Sequence, residues 1–188
     1  MADVQYLHSQ LGVYPDFPKK GITFLDVFPL LQNPQTFETL LTNFLHRLTS
    51  VTLPKIREQT GNPNAKIDVF VGLDARGFLF GPSLALRLGA SFVPVRKQGK
   101  LPGKCLQATY EKEYGTDIFE IQEEAIKEGQ NVVVIDDLIA TGGSAGAAQE
   151  LIQKSGGKVV DNLFVVEIDF LKGREKLSAD TYALIHAD

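Results

Sequence analysis

The stretch NVVVIDDLIATGGS, residues Asn131 to Ser144, decides how the rest of the chain is read. Four consecutive β-branched residues, Val132 to Ile135, form a short apolar run suited to a strand buried on both faces of a sheet. Two carboxylates, Asp136 and Asp137, stand at its carboxyl end, where open α/β sheets bind their ligands. Thr141-Gly142-Gly143-Ser144 then turn the chain into an Ala-rich helical segment, Ala145 to Lys154. Two adjacent glycines let the backbone curl so that successive N–H groups face one concavity. The start of the following helix adds partial positive charge and unpaired donors. The result is a cradle for a phosphate monoester. Two carboxylates beside it suit a ligand with neighbouring hydroxyls, such as a ribose 5-phosphate. Asp-Asp alone reads equally well as a turn, and Gly-Gly alone as a tight βα connection; the complete run favours the phosphate site.

Composition sets the frame around this run. The chain has 188 residues, 44% hydrophobic and 22% charged, enough for one well-buried core, so a single domain is expected. A net charge of −4 argues against a general nucleic-acid or membrane-surface binder, which would be basic. The one cysteine, Cys105, excludes an intramolecular disulfide and has no neighbouring His or second Cys to make a metal site. No apolar run approaches the roughly 20 residues of a membrane span. The amino terminus lacks the basic region and apolar core of a secretory signal. A cytoplasmic enzyme is the expectation.

The segments flanking the run alternate between strand and helix patterns. Tyr14 to Leu31 is broken by Pro15, Pro18 and Pro29 and carries Phe17, Phe24 and Phe28, which rules out one long helix and suggests a strap over the core. Asn33-Pro34 reads as a helix start, with Phe37, Leu40, Leu41, Phe44, Leu45 and Leu48 on one face. His46 lies off that stripe and reads as a surface residue. Pro54 and Gly61-Asn62-Pro63-Asn64 mark a surface connection. Ile67 to Val71 is a second strand, followed by a glycine-bracketed turn with Asp74, Ala75 and Arg76 and an apolar helix through Leu88. Phe92 to Val95 is a third, ending in Arg96-Lys97. Gln98 to Gly115 is polar and glycine-rich, and reads as a long loop suited to closing over an anion. Ile118 to Ile121, Lys158 to Ile168 and Tyr182 to His186 are further strands, with a short helical turn over Leu171 to Leu177. Such alternation predicts βαβ units and a mainly parallel sheet. Neither G-x-x-x-x-G-K-[ST] nor G-x-G-x-x-G occurs, so a Walker-type NTPase or a dinucleotide dehydrogenase lacks its phosphate loop.

Residues 131–144 resemble the phosphoribosyl-diphosphate signature of the type I phosphoribosyltransferases. Four more stretches resemble the adenine-accepting members of that family: FPKKGITF (17–24), GLDARGFLFGPS (72–83), VPVRKQGKLPG (93–103) and ATYEKEYG (108–115). The resemblance implies a central, mainly parallel twisted sheet flanked by helices, an amino-terminal hood over about residues 1–32 and a flexible lid over about 98–116. It implies transfer of the phosphoribosyl group from phosphoribosyl diphosphate to adenine, giving AMP and pyrophosphate with Mg²⁺, in a homodimer. By the same resemblance Asp136 and Asp137 hold the ribose hydroxyls. Ala140, Thr141, Gly142, Gly143 and Ser144 bind the 5-phosphate, and Asp74, Ala75, Arg76, Arg96, Lys97 and Lys100 face the diphosphate. Glu113 and Tyr114 serve the reacting centre; Phe24 and Leu138 sandwich the base while Ile22 and Leu25 read its edge. No direct protein ligand to Mg²⁺ is implied, only a water-mediated contact from Asp136. Ala75 stands where relatives often have serine, and Leu25 where some have arginine. The alternatives are transfer to another nucleobase, a non-catalytic regulator on the same fold, and a phosphosugar-binding protein or isomerase.

Overall fold

The structure, a computed structural model, describes residues 2–17, 20–21, 23–111 and 115–187. It divides into two compact units, Met1–His46 and Arg47–Asp188.

The amino-terminal unit opens with α1 (Ala2–Ser9) and an antiparallel hairpin of β1 (Gly12–Pro15) and β2 (Thr23–Asp26), in which Tyr14 pairs with Phe24 and Val13 with Leu25. The rings of Phe17 and Phe24 meet edge to face, 5.2 Å between centroids. A short helix, α2 (Phe28–Gln32), leads to α3 (Pro34–Arg47). The α3 start is the expected one: Asn33 Oδ1 accepts from the N–H of Gln35 at 2.9 Å, with Pro34 supplying the first helical residue. Leu40, Leu41 and Phe44 are buried at helical spacing.

In the larger unit a π turn (Leu48–Thr52) runs into α4 (Leu53–Thr60), which ends on Gly61 in the left-handed conformation. Pro54, expected to mark a surface connection, instead occupies the first turn of α4, directly after the π turn. Beyond this lie β3 (Val69–Leu73), α5 (Gly81–Leu88), β4 (Ser91–Lys97), β5 (Cys105–Glu111), β6 (Thr116–Gln122), β7 (Asn131–Ile139), α6 (Gly143–Lys154), β8 (Lys158–Ile168) and β9 (Thr181–Ala187). The seven strands form one sheet in the order β5-β6-β4-β3-β7-β8-β9. The pairs β4-β3, β3-β7, β7-β8 and β8-β9 are parallel, and β6 is antiparallel to both β4 and β5. Parallel pairing brings the carboxyl ends of β3, β4 and β7 to one edge.

Alternate side chains of these strands point to the same face of the sheet. Val69, Val71 and Leu73 of β3, Val93 and Val95 of β4, and Val132 and Val134 of β7 share one buried cluster with Ala147, Ala148, Leu151 and Ile152 of α6. Each of the Val, Leu and Ile side chains contributes roughly 1.5–3 kcal/mol by leaving water. Val132 to Ile135 are fully buried, as the β-branched run requires of a central strand.

The polar loop expected over Gln98 to Gly115 is in part a strand. Cys105–Glu111 pairs residue for residue with Thr116–Gln122. The driving force is alternation of small and amphipathic residues: Ala108 and Tyr110 are buried on the α6 side, with Leu106 packed beside them, while Gln107 and Thr109 face outward. The short helical turn expected over Leu171 to Leu177 is two 3₁₀ turns, Asp169–Leu171 and Gly173–Lys176.

Candidate active site

The carboxyl ends of β3 and β7 and the start of α6 enclose a cleft of about 300 Å³. Its wall includes Arg76, Tyr110, Asp136, Asp137, Leu138 and the whole turn Ala140–Ser144. The expected ribose and 5-phosphate residues therefore share one cavity. Gly142 caps α6 with φ of 77°, a left-handed conformation open to glycine and costly for other residues. The N–H of Gly146 bonds to Gly142 O at 2.9 Å. Those of Gly143, Ser144 and Ala145 precede it and have no acceptor within the helix, which leaves donors and the positive end of the helix dipole for an anion.

Asp137 is 4% exposed, and Asp136 is partly buried beside it. Asp136 Oδ1 accepts the N–H of Asp137 at 2.9 Å. Burial pushes the Asp136 carboxyl well above the usual carboxylate range, and the neighbouring charge of Asp137 adds to the rise. Burial also raises Asp137, but Arg76, with Nε 2.9 Å from Asp137 Oδ2, opposes that rise. A second negative charge is thus expensive in the buried cleft and becomes favourable when positive charge develops there.

The residues expected to face the diphosphate divide into two groups. Arg76 lines the cleft. Asp74, Ala75, Arg96, Lys97 and Lys100 lie at the ends of β3 and β4, outside the cleft wall. Arg96 Nε donates to Asp74 Oδ2 at 2.8 Å and its Nη1 to the carbonyl of Lys100 at 3.2 Å. Lys97 Nζ is 3.3 Å from Asp117 Oδ2. The peptide between Asp74 and Ala75 is cis. Gly77 is needed where this turn crosses β7, since a Cβ there would strike the carbonyl oxygen of Ile135. Phe24 and Leu25 lie on β2 of the amino-terminal unit; Ile22, Glu113 and Tyr114 lie outside the described residues.

Tyr110, Glu111 and Phe164 also line the cleft, beyond the site residues that the sequence suggests. The Tyr110 hydroxyl donates to Asp117 Oδ2 at 3.4 Å and is hydrogen-bonded to Ser144. Its signal was the alternation of Leu106, Ala108 and Tyr110. For a metal, the carboxylates of Asp136 and Asp137 offer the cleft oxygen donors of the hard type that Mg²⁺ prefers. Glu167, Asp169 and His186 also cluster, but Arg174 grips Glu167 and Asp169 accepts from His186 at 2.7 Å, so each carboxylate already has a partner within the protein.

Residues 52–185 match the family model described as the phosphoribosyl transferase domain. The adenine phosphoribosyltransferase of Yarrowia lipolytica is 55% identical over 95% of this chain and 93% of its own length. Adenine phosphoribosyltransferase 1 of Saccharomyces cerevisiae is 51% identical over 97% of this chain and 92% of its own. The crystal structure of the Saccharomyces cerevisiae enzyme complexed with an imino-altritol bisphosphate and adenine superposes with a TM-score of 0.87, at 51% identity, covering 97% of this chain and 98% of that one.

Proposed function

The chain belongs to the phosphoribosyltransferase family, and from that premise we propose that it transfers the 5-phosphoribosyl group from phosphoribosyl diphosphate to adenine, giving AMP and pyrophosphate. The observation that carries this reading is the shared cleft: a phosphate cradle at Ala140–Ser144 and a carboxylate pair at Asp136 and Asp137 within one wall.

In the proposed reaction the bond from the anomeric carbon to pyrophosphate oxygen breaks, and a ring nitrogen of adenine bonds to that carbon. The N–H groups of Gly143, Ser144 and Ala145, with the hydroxyls of Thr141 and Ser144, hold the 5-phosphate. Asp136 and Asp137 accept from the ribose hydroxyls and stabilise the sugar's transient positive charge. Arg76 holds Asp137 in place and offers positive charge on the diphosphate side. Arg96 and Lys97, exchanging Asp74 and Asp117 for the leaving group, are proposed to take it up together with Lys100 and the backbone of the Asp74-Ala75 turn. Mg²⁺, brought in on the sugar diphosphate and held through water by Asp136, would neutralise leaving-group charge. Leu138 presents an apolar surface to the flat base, and on the resemblance Ile22, Phe24 and Leu25 are assigned to the base as well. Glu113 is proposed to take the ring proton, with Tyr114 closing over the same atoms. A homodimer in the cytoplasm is the proposed working state; among the described residues no helix is long and apolar enough to cross a membrane.

Pyrophosphate release measured with adenine, hypoxanthine, guanine, uracil and orotate tests the assignment. Adenine should turn over fastest, and a faster rate with any other base refutes it.

A further inference from the structure

The phosphate turn is braced by a piece of chain outside the described cleft wall. A Cβ on Gly142 would strike the carbonyl oxygen of Gly173. A Cβ on Gly173 would in turn strike the carbonyl oxygen of Ala140 and lie 2.8 Å from the nitrogen of Gly142. Two backbones thus pass in contact with no side chain between them. Gly173 is not among the positive-φ glycines, so glycine there answers to space rather than to dihedral angle.

The Gly173 turn is fixed at three points. Arg174 donates from Nε to Glu167 Oε1 at 2.7 Å and from Nη2 to Oε2, a two-pronged grip on a carboxylate only 2% exposed. Glu167 is in register with Ile139, the last residue of β7 before the phosphate turn. Leu177 packs on the cluster of Ile139, Ala145, Phe164 and Ala183. The N–H and hydroxyl of Ser178 both donate to Gln149 Oε1 on α6, at 3.0 and 2.9 Å. Gln149 is itself 4% exposed and donates to Asn162 Oδ1 at 2.9 Å. The brace is therefore tied to the strand that enters the phosphate turn and to the helix that leaves it.

We infer that Gly173 and Arg174 are positioning residues for the 5-phosphate: they set the path of Ala140–Gly142, and with it the aim of the N–H donors, without touching the ligand. The inference rests on the 5-phosphate reading above. It predicts a selective effect, because the groups proposed for pyrophosphate are on the β3 and β4 ends, across β7 from β8, the strand that leads into this turn.

The test is calorimetric titration of the full chain with ribose 5-phosphate and, separately, with magnesium pyrophosphate. Gly173→Ala should weaken ribose 5-phosphate by at least about tenfold and leave pyrophosphate within about twofold. Gly146→Ala, whose added methyl meets nothing within 4 Å, should change neither. Arg174→Lys should retain much of the affinity that Arg174→Gln loses, and these two decide the matter if Gly173→Ala does not fold. Unchanged ribose 5-phosphate binding, or equal loss of both ligands, overturns the inference. Failure of the unsubstituted protein to bind ribose 5-phosphate overturns the functional reading instead, and this inference with it.

Discussion

Arg76 Nε lies 2.9 Å from Oδ2 of Asp137, a carboxylate that is 4% exposed. The pair joins the turn after β3 to the end of β7, and it opposes the effect of burial on Asp137. Arg76→Gln should therefore raise the Asp137 pKa further. Less of the carboxylate is then ionised at a given pH, so the acid limb of the kcat/KM profile moves to higher pH. Turnover at neutral pH should fall by about 10²-fold, as when one preorganised charge partner is removed. Rates across pH check this, and an unmoved acid limb would separate Arg76 from Asp137 in function.

Asp136 yields a prediction for stability. Its folded-state pKa is raised, so its favourable contribution is complete below the ordinary carboxylate value and is lost as pH rises through the raised one. Asp136→Asn removes that loss and keeps an oxygen to accept the Asp137 N–H. On the order of 1 kcal/mol regained at neutral pH would lift Tm by about 2–4 °C for a chain of this size, with the gain shrinking toward pH 4. Activity should collapse in the same variant. A lower Tm at neutral pH would contradict the burial argument.

Gly142→Ala tests the phosphate turn from within. The methyl would press on the Gly173 carbonyl oxygen rather than enter the cleft, and φ of 77° penalises any side chain by roughly 1–2 kcal/mol. AMP affinity should fall by about tenfold or more. Titration calorimetry reads it, and unimpaired AMP binding would show that the turn tolerates displacement.

Tyr110→Phe keeps the ring that packs 4.6 Å from Phe119 and removes the hydroxyl shared with Asp117 and Ser144. KM for phosphoribosyl diphosphate should rise severalfold while Tm changes little, since one partly buried hydrogen bond contributes about 1 kcal/mol. Steady-state kinetics at saturating adenine check it; an unaltered KM would leave Tyr110 a packing residue.

The residues that were legible in the sequence are those whose role is local. Val132 to Ile135 declare a central strand by composition, and Gly142-Gly143 declare a backbone turn at the start of a helix. Lys158 to Ile168 begins and ends where its pattern does. Cys105 to Glu111 was hidden because Ala108 and Tyr110 score weakly as apolar, although they alternate correctly. Partners distant along the chain left no trace: nothing in the sequence near Arg76 points to Asp137, and nothing near Gly142 points to Gly173. Such contacts are created by the order of the strands, which local pattern does not encode.

The most direct test is a crystal structure with AMP bound. The account predicts the phosphate on the N–H groups that follow Gly142, with the ribose hydroxyls on Asp136 and Asp137. A nucleotide bound in another place, while the turn at Ala140–Ser144 stays empty, would contradict it.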